Sequence, residues 1–165
     1  MAKDMAVLPI VIGADTPILR TKTIKLERVT KDILKLIDDM KSTVKKVEGL
    51  GIAAPQVNRT ERVCLVLMNG KMTPLINPEI TWRSEETSIM EEGCLSLPKV
   101  AVDVERAVEI TLTYLDTEGK AQERRLHDLD ARVTQHELDH LEGVLIVDYL
   151  NTGILRDKDT RILEY

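Results

Sequence analysis

The run His136-Glu137-Leu138-Asp139-His140 carries the densest chemistry in the sequence. On an α-helix, side chains four residues apart lie above one another, so both imidazoles can reach one metal ion. Glu137 follows one residue after the first histidine. It can sit beside the ion without binding it and handle the proton of a water. The competing reading is a surface helix that carries two histidines by chance, and a five-residue pattern alone leaves it open. His127, the third histidine, falls outside the spacing and reads as a loop or cap residue.

Two histidines do not complete a catalytic metal site, which takes a third protein ligand and keeps one position for water. In the pattern H-E-x-x-H-x-x-G-x-x-H, Gly143 fits, but the last position is Ile146, which cannot ligate. A glutamate farther downstream would be Glu164, beside Tyr165 at the end of the sequence. Chain ends tend to be mobile, which makes that a poor place for a rigid ligand. Glu142 and Asp148 are too close in sequence for either pattern. Attention therefore moves upstream, to cysteine.

Cys94 stands in Glu92-Gly93-Cys94-Leu95-Ser96-Leu97-Pro98, where Gly93 allows close backbone approach and Pro98 ends the segment as an extended piece. Cys64 lies inside an apolar run and reads as a small buried hydrophobe. Cys94 is the better ligand, as thiolate, although a buried loop thiol would look the same in isolation. A third string, Gly49-Leu50-Gly51-Ile52-Ala53-Ala54-Pro55-Gln56, combines small residues that let backbone approach a ligand. It lacks the Lys-Ser/Thr of a phosphate loop and the spacing of a dinucleotide fingerprint. A helix cap and tight turn would explain Gly49 but not the whole string.

Taken together, Gly49–Gln56, Glu92–Ser96 and Gln135–His140 resemble the G-x-G-x-A-A-x-Q, E-G-C-L-S and Q-H-E-x-D-H segments of the peptide deformylase family, in the same order. Pro17-Ile18-Leu19-Arg20 is similar to the family's N-terminal segment, and the likeness extends to about Leu150. The resemblance implies a compact α+β domain, with antiparallel β-sheets around a central helix bearing the His-Glu-x-x-His motif, plus an N-terminal helix. It implies that Cys94, His136 and His140 hold one divalent metal ion, Fe(II) in the cell, with Zn, Ni or Co able to replace it. Glu137 is then the general acid/base, and the Gln56 side chain and Leu95 backbone N–H stabilise an oxyanion. Leu50, Gly51, Leu95, Leu129 and Val133 match positions around a pocket for the methionine side chain. The implied activity removes the formyl group from the N-terminal formylmethionine of new polypeptides and releases formate. Two departures stand out. Ala101 replaces an Arg common in the family, with Arg106 nearby, and Asn151–Tyr165 is a short tail whose bases are diluted by Asp157, Asp159 and Glu164. At most a transient ribosome contact is expected of that tail.

The elements that must position these residues are partly legible. Thr30 is placed to cap a helix from about Lys31 to Val47, because Ile33, Ile37, Met40, Val44 and Val47 recur at three- and four-residue steps. That helix should stop near Gly49. Arg62–Met68 reads as a strand, followed by the hairpin signal Asn69-Gly70. Val108–Leu115 and Ala121–Leu126 read as an antiparallel hairpin around Thr117–Lys120. A second helix runs from about Asp128 to Leu141, with Gly143 as its stop. Strands that precede a late helix, instead of alternating with helices, favour α+β over a doubly wound sheet.

No repeat or Pro/Gly/Ser linker divides the chain, and 165 residues suit one domain over 1–165, with 151–165 as its tail. Aromatics make up only 2% and Phe is missing, so the core must be aliphatic. A net charge of −5 without a basic block gives no nucleic-acid footprint. Met5–Ile12 is too short to span a membrane, and no signal peptide is evident. A cytoplasmic setting is expected, or an organellar matrix if a transit peptide has been removed. Two further readings compete: a metalloprotease that cuts internal peptide bonds, and a closed structural zinc site with Cys64 as fourth ligand.

Overall fold

The polypeptide enters as an extended segment that binds three other parts of the chain through its backbone. The computed structural model describes residues 5–150 and 163–165. Ala6 N–H donates to Asp39 Oδ1 and Leu8 N–H to Thr43 Oγ1, both at 2.8 Å. Farther on, Val11 N–H donates to the Gln56 carbonyl (2.8 Å) and Gly13 N–H to the Ser96 carbonyl (3.0 Å). A single 3-10 turn, Pro17–Arg20, follows.

Helix α1 (Lys31–Lys46) starts where expected, because the Thr30 side chain accepts the Ile33 N–H. Ile33, Ile37, Met40 and Val44 form its buried stripe against the sheet. Val47, expected in that stripe, lies past the helix end and is exposed. The stop is a Schellman arrangement: Gly49 N–H reaches the Val44 carbonyl and Glu48 N–H the Lys45 carbonyl. Its left-handed residue is Glu48 (φ 55°), not Gly49. Gly49 serves a different need, since a Cβ there would lie 3.0 Å from Val44 Cγ2 and 3.2 Å from Leu95 Cδ1.

Among the described residues eight strands follow: β1 (Gly51–Ala53), β2 (Val63–Met68), β3 (Lys71–Arg83), β4 (Thr87–Cys94), β5 (Leu97–Ala107), β6 (Glu109–Leu115), β7 (Ala121–His127) and β8 (Leu163–Glu164). One sheet has the order β1-β2-β3-β6-β7, and the other β5-β4-β8. All pairings are antiparallel except β4 with β8. The Asn69-Gly70 turn has positive φ at both residues, as a two-residue hairpin on twisted strands requires. Two expectations change. The long strands β3, β4 and β5 were not anticipated, and Pro98 is the second residue of β5 instead of closing an extended piece.

Helix α2 (Asp128–Leu141) has the expected bounds, with His127 as its N-cap residue. Ten of its fourteen residues are buried, among them Arg132, Gln135, His136, Glu137 and His140. A helix this polar survives burial only if its polar groups find partners or are held for chemistry. Gly143 ends it at φ 74°, and a Cβ there would fall 2.6 Å from the Arg20 carbonyl oxygen. The fold is thus α+β, with sheets around the His-Glu-x-x-His helix. Among the described residues, no helix is long and apolar enough to cross a membrane.

Candidate metal centre and active site

Three elements bring the chemistry together. β4 ends on Cys94, α2 presents His136 and His140 one turn apart, and a 3-10 turn after β1 carries Gln56. One donor atom each from Cys94, His136 and His140 lies within 4.8 Å of the others, and all three residues are buried. Cys94 Sγ is 3.4 Å from His140 Nε2. The three form a potential metal site. Metal–ligand bond lengths and the tetrahedral angle require donor atoms about 3.5 Å apart, close to that spacing.

The tautomer of His136 is set from behind. Its Nδ1 lies 2.8 Å from Glu92 Oε1. Glu92 is fully buried and accepts from Arg106 Nε and Nη2, both at 2.8 Å, and from Arg132 Nη1 at 2.6 Å. Burial alone would raise the Glu92 pKa, but the Arg106 guanidinium and the His136 imidazole hold it well below the usual carboxylate range. An ionised Glu92 makes His136 Nδ1–H the donor and leaves the Nε2 lone pair free, as second-sphere carboxylates do for histidine ligands. His136 Nε2 is buried and has no partner among the described residues, as expected of an atom reserved for an ion.

Glu137 occupies the next position. It is fully buried, and neither of its carboxyl oxygens has a hydrogen-bond partner among the described residues. Burial pushes its pKa well above the ordinary carboxylate range. β1 comes so near that a Cβ on Gly51 would lie 2.8 Å from Glu137 Oε1 and 2.9 Å from the Leu65 carbonyl, so only glycine fits. Burial likewise pushes the Cys94 thiol up to about 12 and His140 well below its ordinary value. A bound cation would reverse the thiol shift by favouring thiolate.

Gln56 is fixed at both ends. Its Oε1 accepts the Ala53 N–H (2.9 Å), and its Nε2 donates to Ser96 Oγ (3.2 Å) and lies 3.9 Å from Cys94 Sγ. Leu95 N–H donates to the main-chain oxygen of Tyr165 at 3.1 Å. Val133 is buried and Leu50 partly buried in one apolar cluster that also contains Tyr165. Leu129, on the first turn of α2, is 42% exposed. Cys64 is buried in β2 as a free thiol, outside the potential metal set. A cavity of about 670 Å³ opens elsewhere, lined by Arg62, Glu105, Arg106, Asp139 and Glu142. Its charges already pair, as in Arg62–Glu142 and Arg106–Asp139, and the unpaired donor atoms do not line it.

The sequence reading did not anticipate three residues. Glu92, Arg106 and Arg132 build the support behind His136, and their separations of 14 and 40 positions left no local signal. An acid next to Gly-Cys was the only hint. Arg106 is committed to Glu92 and Asp139.

A buried Cys-His-His cradle beside a buried carboxylate, in an α+β frame, is a donor set of the kind metal-dependent hydrolases use. The particular family follows from comparison. The chain matches the polypeptide deformylase family over residues 7–154. It is 46% identical to a peptide deformylase of Pseudothermotoga lettingae over 81% of this chain and 78% of that protein. It is also 46% identical to one of Nitrosococcus oceani, over 90% and 89%. A ligand-bound crystal structure of class I type b peptide deformylase from Acinetobacter baumannii superposes with a TM-score of 0.83 at 38% identity, over 87% of this chain and 99% of that one. This chain belongs to the polypeptide deformylase family.

Proposed function

We propose that the chain hydrolyses the formyl amide of N-formylmethionyl peptides, releasing formate and a free amino terminus. The observation that carries this reading is the buried donor triad Cys94, His136 and His140 beside a Glu137 whose two oxygens lack partners. When bound, a divalent ion supplies Lewis acidity and makes water a better nucleophile near neutral pH. One thiolate beside two imidazoles is a softer donor set than nitrogen or carboxylate alone, which suits Fe(II), with Zn, Ni or Co as replacements.

The residues divide the remaining work. Glu137 takes the proton of the attacking water and returns it to the leaving amine nitrogen. Its raised pKa suits both halves of that exchange. Gln56 Nε2 and Leu95 N–H donate to the oxygen that gains charge as the formyl carbon becomes tetrahedral. Removing one such donor costs about 3–4 kcal/mol in a protease. Leu50, Gly51, Leu95, Leu129 and Val133 receive the methionine side chain, whose burial contributes about 1.5–3 kcal/mol. Residues 1–165 act as one domain, in the cytoplasm or an organellar matrix, with at most a transient ribosome contact.

The test is formate release from formyl-Met-Ala-Ser by anaerobically prepared Fe(II)- or Ni(II)-loaded protein. Release is expected, with formyl-norleucine peptides nearly as good. Formyl-Asp peptides should be slower by orders of magnitude, because their carboxylate would be buried without a partner. Cleavage of N-blocked peptides at internal bonds, without formate release, would transfer the site to the protease reading.

A further inference from the structure

Residues 163–165 lie inside the site. β8 adds to β4 in parallel, with Leu163 opposite Glu92 and Glu164 opposite Gly93. Glu164 crosses Gly93 so closely that a Cβ on that glycine would fall 2.6 Å from Glu164 Cγ. The main-chain oxygen of Tyr165 accepts the Leu95 N–H, the donor assigned above to the oxyanion. Tyr165 is fully buried, with its ring 4.7 Å from the His136 ring in an edge-to-face arrangement and in the apolar cluster of Val133 and Leu50. The segment therefore takes the Leu95 donor and places its ring in the apolar cluster that includes two residues assigned to the recess for the first side chain.

We propose that residues 163–165 are a built-in competitive occupant of the peptide cleft, a strap that must leave before a formylated peptide binds. This rests on the cleft assignment made under the proposed function. Two features make the strap displaceable. Tyr165 Oη has no hydrogen-bond partner among the described residues, a penalty that a thioether side chain does not carry. The pairing of β8 covers only two residues. Tethering works the other way. A segment on the same chain presents itself at roughly millimolar effective concentration, so a weak intrinsic affinity suffices to keep the cleft partly closed. The apparent substrate affinity then falls by the fraction of molecules in the open state.

The experiment compares the Ni(II)-loaded 165-residue protein with its Tyr165→Gly variant. For formyl-Met-Ala-Ser, KM should fall ~3–10-fold in the variant while kcat stays constant, as removal of an internal competitor requires. Added acetyl-Leu-Glu-Tyr should inhibit the variant competitively. Independently of turnover, amide hydrogen exchange at Leu95 should quicken in the variant. Unchanged KM with a lowered kcat and melting temperature would make the segment structural and overturn the proposal. So would unchanged Leu95 exchange. If neither protein releases formate, the proposed function fails, while Leu95 exchange still decides whether Tyr165 holds the cleft.

Discussion

The two faces of α2 are built on opposite terms. On one, every polar group is engaged. Arg132 binds Glu92, the Val104 carbonyl and Ser88; Gln135 exchanges hydrogen bonds with the Ala107 backbone; Asp139 accepts from Arg106 and Tyr149. On the other, His136 Nε2 and both Glu137 oxygens are buried and have no partner among the described residues. A buried polar group without a partner costs about 1–3 kcal/mol, and more when charged. Such groups collected on one face mark where the molecule holds reactive atoms in waiting. The satisfied face supplies the rigidity that keeps them there.

The sharpest way to break this contrast is Glu137→Ala. The substitution removes a reactive group but no ligand, so metal content should stay near one ion per chain while kcat for formate release falls by ~10²–10⁴. Metal analysis and turnover on the same sample decide it, and joint loss of both would show Glu137 to be a ligand. Next in size is Glu92→Gln, which strikes the satisfied face. With a weaker acceptor behind His136 Nδ1, metal affinity should drop by ~10–100-fold in competition with a chelator. An unchanged affinity would mean that the network supports the fold without orienting the ligand. The smallest effect belongs to the cysteine outside the cradle. Cys64→Ser buries a hydroxyl in an apolar strand and should cost about 1–3 kcal/mol in denaturant unfolding, with metal stoichiometry intact. Cys94→Ser, in contrast, should empty the site or change its metal preference.

How much of this could be read from the sequence depended on how local each signal was. The span of α2 was legible, because Leu129, Val133, His136, Glu137 and His140 fall on adjacent faces and Gly143 stops the pattern. Strand β2 with its turn Asn69-Gly70, and the hairpin β6–β7 around Thr117–Lys120, announced themselves. β3 did not, because Pro74 and Pro78 interrupt it and its pairing with β6 shifts register between Ile76 and Glu79. β4 hid because a strand with Glu91 and Glu92 in sequence looks wet, while Glu92 is in fact buried against two arginines from other elements. The donor triad was recoverable by type and spacing, but its support was not. Nothing near position 92 reveals what positions 106 and 132 will bring. Tyr165 was missed for another reason: a general expectation of mobile chain ends outweighed a lone apolar ring.

The extended segment before Pro17 is also made early and paired late. Val11 waits for Gln56, and Gly13 waits for Ser96, 83 residues downstream. At about 5–20 residues per second, a ribosome needs roughly 4–17 s to make that stretch. Pairings so distant in sequence also form slowly once possible, because loop closure precedes any gain from the contact. Until Thr43 and Gln56 have been made, the apolar ribbon Val7-Leu8-Pro9-Ile10-Val11-Ile12 lacks the acceptors that Leu8 and Val11 use in the fold, and it is open to any chaperone that reads extended aliphatic peptide. The backbone pairings of this segment are therefore among the last that its own partners allow to close.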